Sequence, residues 1–266
     1  MSVHDLNDGQ LAILKLLYRY RYGSIDLLRS NLGMKQNSGL YQKLEVLISH
    51  GYIGKHYKKE YRLVGIPAAY HLLPKAYKAL SELDAYEIPD KIIKASYRDN
   101  TRSTGFIAHF MHTYKALNDF TRLYPTIKTF TQRDLIGYDS FPKNLPDGYL
   151  SLSTDDTPQR YFIDIIVEGT PRYVVDVLVS NYHNFFLEDT WSDTGSEPPA
   201  LLILTDTSKA ERYVRRIIKN KQDALDMVSP QFYTSTLSAL ANANAQTPIW
   251  TSVEDAEDPI TLEQAR

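Results

Sequence analysis

Residues 24–57 read SIDLLRSNLGMKQNSGLYQKLEVLISHGYIGKHY, and the hydrophobic pattern in this stretch changes its period. Ser24 is placed to cap a short helix carrying Ile25, Leu28 and Leu32, which Gly33 ends. Asn37 or Ser38 then caps a second helix. In it Leu40, Leu44, Leu47 and Ile48 form one buried stripe at helical spacing, and Gly51 supplies the left-handed stop. Straight after Gly51, the residues Tyr52, Ile53, His56 and Tyr57 carry β signal instead.

Upstream, Leu11, Leu14, Leu17 and Tyr18 recur at helical spacing behind a polar run, residues 5–8, that offers N-caps. Downstream, Tyr61 continues the β signal, Gly65 and Pro67 break it, and residues 69–73 form a further apolar run. Pro74 suits the first turn of a helix, with Ala76, Tyr77 and Leu80 on its apolar side. Three helices joined by short turns, then two strands with a loop and a closing helix, predict a winged helix-turn-helix over residues 1–83.

Residues 84–104 are charged and polar with few apolar anchors and read as a linker. A long amphipathic helix follows at 106–123, with Phe106, Phe110, Tyr114, Leu117 and Phe120 on one side. Strands are expected at 127–130, 149–152, 161–167, 201–204 and 249–253. Residues 173–187 carry helical spacing, although their valines also suit a strand, and 208–222 form a basic amphipathic helix. The expectation is therefore a two-domain, α+β/α/β protein: a DNA-binding head, a linker, an α/β domain over residues 105–255, and an acidic tail at 256–266. No internal repeat is present.

The chain has 266 residues, 43% hydrophobic and 12% aromatic, which is the composition of a folded globular protein. Net charge is −2, but its distribution is uneven. Up to Leu83, twelve Lys and Arg face six Asp and Glu, and the excess of acid lies in the second half. A basic module of this kind meets a polyphosphate well, because each neutralised phosphate releases condensed counterions. There are no cysteines to form disulfides or ligate a metal. No apolar run reaches membrane-spanning length, and the polar start lacks a signal-peptide pattern, so a cytoplasmic location without membrane contact is expected.

In a helix-turn-helix the third helix enters the major groove by its N-terminal turns. The outward positions there are Ser38, Gln42 and Lys43, with Tyr41 flanking. Gln pairs bidentately with adenine, and Lys reaches guanine or phosphate. Lys35 and Asn37 precede the helix and are placed for the backbone. The wing offers Lys55, His56, Lys58, Lys59 and Arg62 between tyrosines, which suits phosphates and the minor groove. The bland alternative is that these are solvated charges on a protein-binding module.

Few chemical signatures are present. His109 and His112 stand one helical turn apart but make only half a metal site. The phosphate-binding GxxxxGK[ST], the GxSxG elbow and the dinucleotide glycine fingerprint are missing, which removes the usual support for an ATPase, a serine hydrolase or a Rossmann enzyme. A rolling-circle relaxase would need two histidines flanking one apolar residue on a strand, and the chain has no such triplet. One constellation remains: Pro146-Asp147 before a strand and Asp164 in the next, with the turn 153–159 between them. Nucleases of the PD-(D/E)xK kind place a carboxylate on each strand to hold Mg2+, and a lysine two residues beyond the second orients the attacking water. Ile166 occupies that lysine position. Glu168 follows on the same face if the strand stays regular. Alternatively, Pro146-Asp147-Gly148 is a plain turn. Arg212, Arg215, Arg216, Lys219 and Lys221 give the late helix a basic face, either simply solvated or available to flanking phosphates.

Taken together, these features resemble the plasmid replication-relaxation family. The match rests on the pattern from Gly9 to Leu83, the 109–120 helix, Leu145-Pro146-Asp147-Gly148, the 161–167 strand, and the 201–207 strand before a basic helix. The resemblance implies a DNA-binding head and a restriction-endonuclease-like second domain. The family's second strand reads acidic, any residue, then polar or acidic, whereas this chain has Asp164-Ile165-Ile166. Of the lysine and tyrosine expected on the following helix, only Tyr182 is matched. The resemblance therefore implies a degenerate catalytic motif, with Asp147 and Asp164 as the catalytic and metal candidates.

The leading expectation is a sequence-recognising double-stranded DNA-binding protein of a plasmid, phage or mobile element, acting in replication, relaxation or mobilisation. Its nuclease-like domain is expected not to cleave. A Mg2+-dependent DNA nickase using Asp147 and Asp164 stays open, as does a transcription regulator whose second domain dimerises or senses a ligand. A homodimer is expected, because helix-turn-helix proteins commonly read palindromes in pairs.

Overall fold

The computed structural model describes residues 6–63, 65–83, 87–153, 158–227, 230–255 and 258–265. The chain divides into two compact units, Met1–Lys115 and Ala116–Arg266.

Unit one begins with α1 (Asp8–Tyr20). Asn7 caps it, accepting from the Gln10 amide while the Gln10 side chain accepts in return from the Asn7 amide. Then come β1 (Tyr22–Gly23), α2 (Ile25–Asn31) and α3 (Ser38–Ser49). Ser24 caps α2 through the Leu27 amide as its position predicts. Gly33 and Gly51 take φ of 62° and 71°, the left-handed conformation that favours glycine and stops each helix. Asn37 stands at the N-cap of α3, but its side chain makes no capping hydrogen bond. The chain continues through β2 (Ile53–His56), β3 (Ala69–Leu72) and α4 (Pro74–Ser81), with Pro74 in the first turn. The three strands form an antiparallel sheet in the order β1-β3-β2, with Ile53 opposite Leu72 and Tyr22 opposite His71. Leu14 and Leu17 of α1, Leu28 of α2, and Leu40, Leu44 and Leu47 of α3 are all fully buried, which is what the helical stripes require.

The segment expected to be a linker is structured over much of its length. Residues 84–86 lie outside the described residues, but α5 (Asp90–Ser96) and a one-turn helix, Asp99–Thr101, follow. Asp99 is buried, and its Oδ1 accepts from Nη2 of Arg21 at 2.6 Å. The Asp99 carbonyl accepts the Tyr22 hydroxyl at 2.9 Å and lies 2.7 Å from His56 Nε2. Composition misled here because Asp99, polar by type, is buried and anchors the segment instead of solvating it. The division between the units falls instead within the next helix, α6 (Thr104–Leu123), after Lys115.

Unit two contains a six-stranded mixed sheet in the order β4-β5-β6-β7-β8-β9. After α6 come β4 (Lys128–Thr131), α7 (Gln132–Leu135), β5 (Gly148–Leu152) and β6 (Gln159–Ile166), with β5 antiparallel to both β4 and β6. Next is α8 (Arg172–Leu187), then β7 (Ala200–Thr205), α9 (Ser208–Leu225) and β8 (Phe232–Thr236). Strands β6, β7 and β8 are parallel, with one helix in each connection. Then α10 (Leu237–Asn242) leads to β9 (Thr251–Ser252), antiparallel to β8. Phe162, Ile166, Leu201, Ile203 and Phe232 from the sheet pack with Val175, Val179 and Tyr182 of α8 and Val214 and Ile218 of α9. A side chain at Gly148 would meet Leu117 of α6 at 3.0 Å, so this glycine permits a close helix approach.

The valines of 173–187 thus sit in a helix, because α8 is the covering layer that a parallel β6–β7 pair requires. The acidic tail is not a tail throughout. Ile260 bridges Trp250, and Leu262 and Ala265 are buried, with the Leu262 carbonyl accepting from the Tyr161 hydroxyl at 2.8 Å. Among the described residues, no helix is long and apolar enough to cross a membrane.

Candidate nucleic-acid interface and carboxylate site

The exposed side of α3 is defined by what its stripe leaves out. With Leu40, Leu44 and Leu47 buried, Ser38, Tyr41, Gln42 and Glu45 face solvent. Lys43 does not join them. Its Cε stands where a side chain on Gly9 of α1 would lie, so its stem covers α1 and the residue is half-buried. Lys35 is exposed just before the helix, and Asn37 is half-buried at its start.

Lys55 is exposed on β2, and the β2–β3 connection carries exposed Tyr57, Lys58, Lys59 and Arg62, the last two in a one-turn helix, Lys59–Arg62. His56 departs from the sequence expectation. It points to the opposite side of the strand from Lys55 and packs against the His71 ring at 4.8 Å, beside the Asp99 carbonyl. His71 is fully buried and lies flat over Gly54, whose missing side chain makes the contact possible. Burial pushes the His71 imidazole down to about 4, with the neighbouring His56 adding to the effect. His56 and His71 therefore belong to the interior of unit one, not to its basic surface.

In unit two the two candidate carboxylates do come together. Asp147 directly precedes β5 and Asp164 lies two residues before the end of β6; both are 9% exposed. Asp147 Oδ2 accepts from the Ile165 amide at 2.9 Å, and its Oδ1 lies 3.4 Å from the Gln132 side-chain nitrogen. Asp164 Oδ2 accepts from the Tyr182 hydroxyl at 2.5 Å. Burial and the adjacent Asp164 carboxylate push the Tyr182 hydroxyl well above the ordinary tyrosine range, with Asp147 adding to the rise, so it remains a proton donor.

Ile166 is 5% exposed within the apolar layer under α8. Glu168 does not extend the carboxylate row, since β6 ends at Ile166 and Gly169 turns the chain with φ of 85°. Instead Glu168 accepts from Lys209 Nζ at 2.6 Å and from the Thr207 hydroxyl at 3.1 Å, and the Lys209 hydrogen bond holds its carboxyl below the usual range.

These residues do not fit Mg2+. That ion keeps several waters and seeks open carboxylate oxygens. Here both oxygens of Asp147 and Oδ2 of Asp164 accept hydrogen bonds from the protein itself, both carboxylates are withdrawn from solvent, and the lysine position is aliphatic. Among the described residues, no three His, Cys, Asp or Glu side chains stand close enough to share a metal ion.

Known proteins give little to compare. No family model and no curated protein match this chain. Two solved structures of the restriction endonuclease FokI are similar to it in part. The first is 11% identical over 88% of this chain with a TM-score of 0.29, and the DNA-bound one is 10% identical over 87% with a TM-score of 0.32. In both cases the chain spans 43% of the length of FokI. TM-scores of this size fall short of a shared fold, so the chemistry is read from this chain's own residues.

The basic face of α9 is smaller than its sequence implies. Arg215 lies 3.4 Å from Glu211 and Lys219 lies 3.6 Å from Asp223, each within one helical turn. Arg212 and Arg216 are exposed. Sequence reasoning missed Gln132, because its place beside Asp147 is set by the fold of α7 and leaves no local pattern.

Proposed function

We propose that this protein binds double-stranded DNA through unit one, read as a winged helix-turn-helix, with α3 in the major groove and the β2–β3 connection as the wing. Ser38, Tyr41 and Gln42 are the base-facing residues, Lys35 lies at the approach to the phosphate backbone, and Lys55, Lys58, Lys59 and Arg62 carry the wing. One observation carries this reading: an exposed polar and aromatic face on α3 stands beside four exposed cations, Lys55 on β2 and Lys58, Lys59 and Arg62 in the β2–β3 connection. Cations so placed bind phosphates without regard to sequence, and side chains on the helix discriminate bases.

Unit two is read as a PD-(D/E)xK-like domain that no longer cleaves. The supporting geometry is the engagement of Asp164 by Tyr182 and of Asp147 by the Ile165 amide, together with Ile166 in the core. A role in replication, relaxation or mobilisation of a plasmid or other mobile element rests on the sequence resemblance, and a homodimer on the pairing habit of helix-turn-helix proteins.

The deciding measurement is fluorescence anisotropy on labelled duplexes at two salt concentrations, comparing the intact protein with a Tyr41→Ala, Gln42→Ala double variant. Saturable binding that weakens with salt, and weakens further in the variant, is expected. Equal affinity in the variant removes α3 from the interface. Incubation with supercoiled plasmid and Mg2+ or Mn2+ is expected to leave it intact, and nicked circles would restore the nickase reading.

A further inference from the structure

Between α3 and the wing lies a groove of about 520 Å3. Three tyrosines line it: Tyr41 from α3, Tyr57 from the wing and Tyr70 from β3. Tyr41 and Tyr57 are 46% and 45% exposed, whereas Tyr70 is fully buried. The Lys55 ammonium sits 5.8 Å from the Tyr57 ring centroid and 5.9 Å from that of Tyr70, and Arg62 also borders the groove. Asp26 lines it too, with its carboxylate 3.4 Å from Arg29.

Two residues lining this groove carry a buried polar atom with no hydrogen-bond partner among the described residues, Oδ1 of Asn37 and the hydroxyl of Tyr70. Burial, with Tyr41 and Glu45 nearby, pushes the Tyr70 hydroxyl up to about 12, so it stays protonated and able to donate. The pair thus offers one acceptor and one donor. A phosphate oxygen only accepts, so a DNA backbone crossing the groove leaves Asn37 Oδ1 unmatched and the tyrosine rings uncovered. A nucleobase differs on both counts. Its edge carries donors and acceptors together, and its faces stack on aromatic rings whatever the base.

We infer that the groove takes an unpaired nucleobase. The base stacks on the exposed Tyr41 and Tyr57 rings, turns its edge toward Asn37 and Tyr70, and leaves its flanking phosphates to Lys55 and Arg62. This rests on the DNA-binding reading of unit one and sharpens it: the preferred ligand is a duplex carrying a bulged or extruded nucleotide. Entry of the base displaces the Lys55 ammonium from beside the Tyr57 and Tyr70 rings and frees it for phosphate.

The test uses the intact protein and two duplexes of identical sequence, one containing a single bulged 2-aminopurine nucleotide. The bulged duplex is expected to bind about tenfold more tightly, the scale that stacking one base on an aromatic side chain provides, with quenching of the 2-aminopurine emission. Tyr57→Ala brings the two affinities together, and Tyr57→Phe, which keeps the ring, restores the difference. Equal salt-dependent binding of both duplexes without quenching overturns the inference and leaves the DNA-binding reading standing. A preference that survives Tyr57→Ala overturns the assignment to this groove. Failure to bind either duplex removes both the inference and the reading beneath it.

Discussion

The Tyr182 hydroxyl donates to Oδ2 of Asp164 at 2.5 Å, joining α8 to the middle of the central sheet. A carboxylate at this depth is costly unless hydrogen bonds replace the water it gave up. Tyr182 provides one from a fully buried ring, and the same bond occupies an oxygen that a nuclease would turn toward a metal ion. The contact makes Asp164 an internal acceptor that pins a helix to the strand beneath it.

Tyr182→Phe keeps the ring and deletes the donor. It is expected to lower unfolding free energy by about 1–3 kcal/mol, the range for stranding a buried acceptor. Urea denaturation measures this directly, and an unchanged midpoint would mean that the Asp164 oxygen finds another partner at no cost.

Ile166→Lys recreates the lysine of the nuclease pattern but puts an ammonium into the layer formed by Val175, Val179 and Ile203. The charge there has no solvent and costs several kcal/mol. The expected result is a destabilised or insoluble protein that still leaves supercoiled plasmid intact with Mg2+. A stable variant that nicks DNA would show that only the lysine was missing.

His71 makes stability depend on pH. Its folded-state value of about 4 lies below the 6.5 of the unfolded chain, so between these values the unfolded state binds the extra proton. Stability is fully present above about pH 6.5 and is lost as the pH falls toward 4, by at most about 3 kcal/mol. His56 and Arg21 oppose His71 protonation and Asp99 favours it. Urea midpoints at pH 7.5, 6 and 5 in wild type and His71→Leu measure the effect. An equal decline in both would assign it to other groups.

On the DNA-binding reading proposed for unit one, removing the charges of the β2–β3 connection alters the salt dependence of binding more than its base preference. Each phosphate contact contributes about 0.9 to the slope of log affinity against log salt. The Lys58→Ala, Lys59→Ala, Arg62→Ala triple variant is therefore expected to flatten the slope by up to about 3. Anisotropy titrations over a salt series give the slope, and an unaltered value would take the wing off the phosphates.

Much of unit one was legible in advance. The stripe from Leu40 to Leu47, the Ser24 cap, and the stops at Gly33 and Gly51 are local signals acting over three or four residues, and each helix forms where they place it. Position along the helix was less legible than the helix itself. Lys43 and Gln42 are neighbours in sequence, yet one lies over Gly9 and the other faces solvent. The boundary between the units was misplaced because residues 90–101 look polar in isolation. Asp99 becomes an anchor only when Arg21, distant in sequence, is brought to it.

The sequence by itself determined helices α1 to α4 with β2 and β3, the basic excess up to Leu83, and the aliphatic residue at 166, but not β1, α5, α7, β8 or α10. Each follows from residue type and short-range spacing, which need no partner to act. Tertiary structure alone decided that Tyr182 meets Asp164, that His56 turns inward, and that Tyr41, Tyr57 and Tyr70 line one groove. Such contacts depend on strand pairing and helix docking between segments far apart in the chain, and no local pattern encodes their geometry.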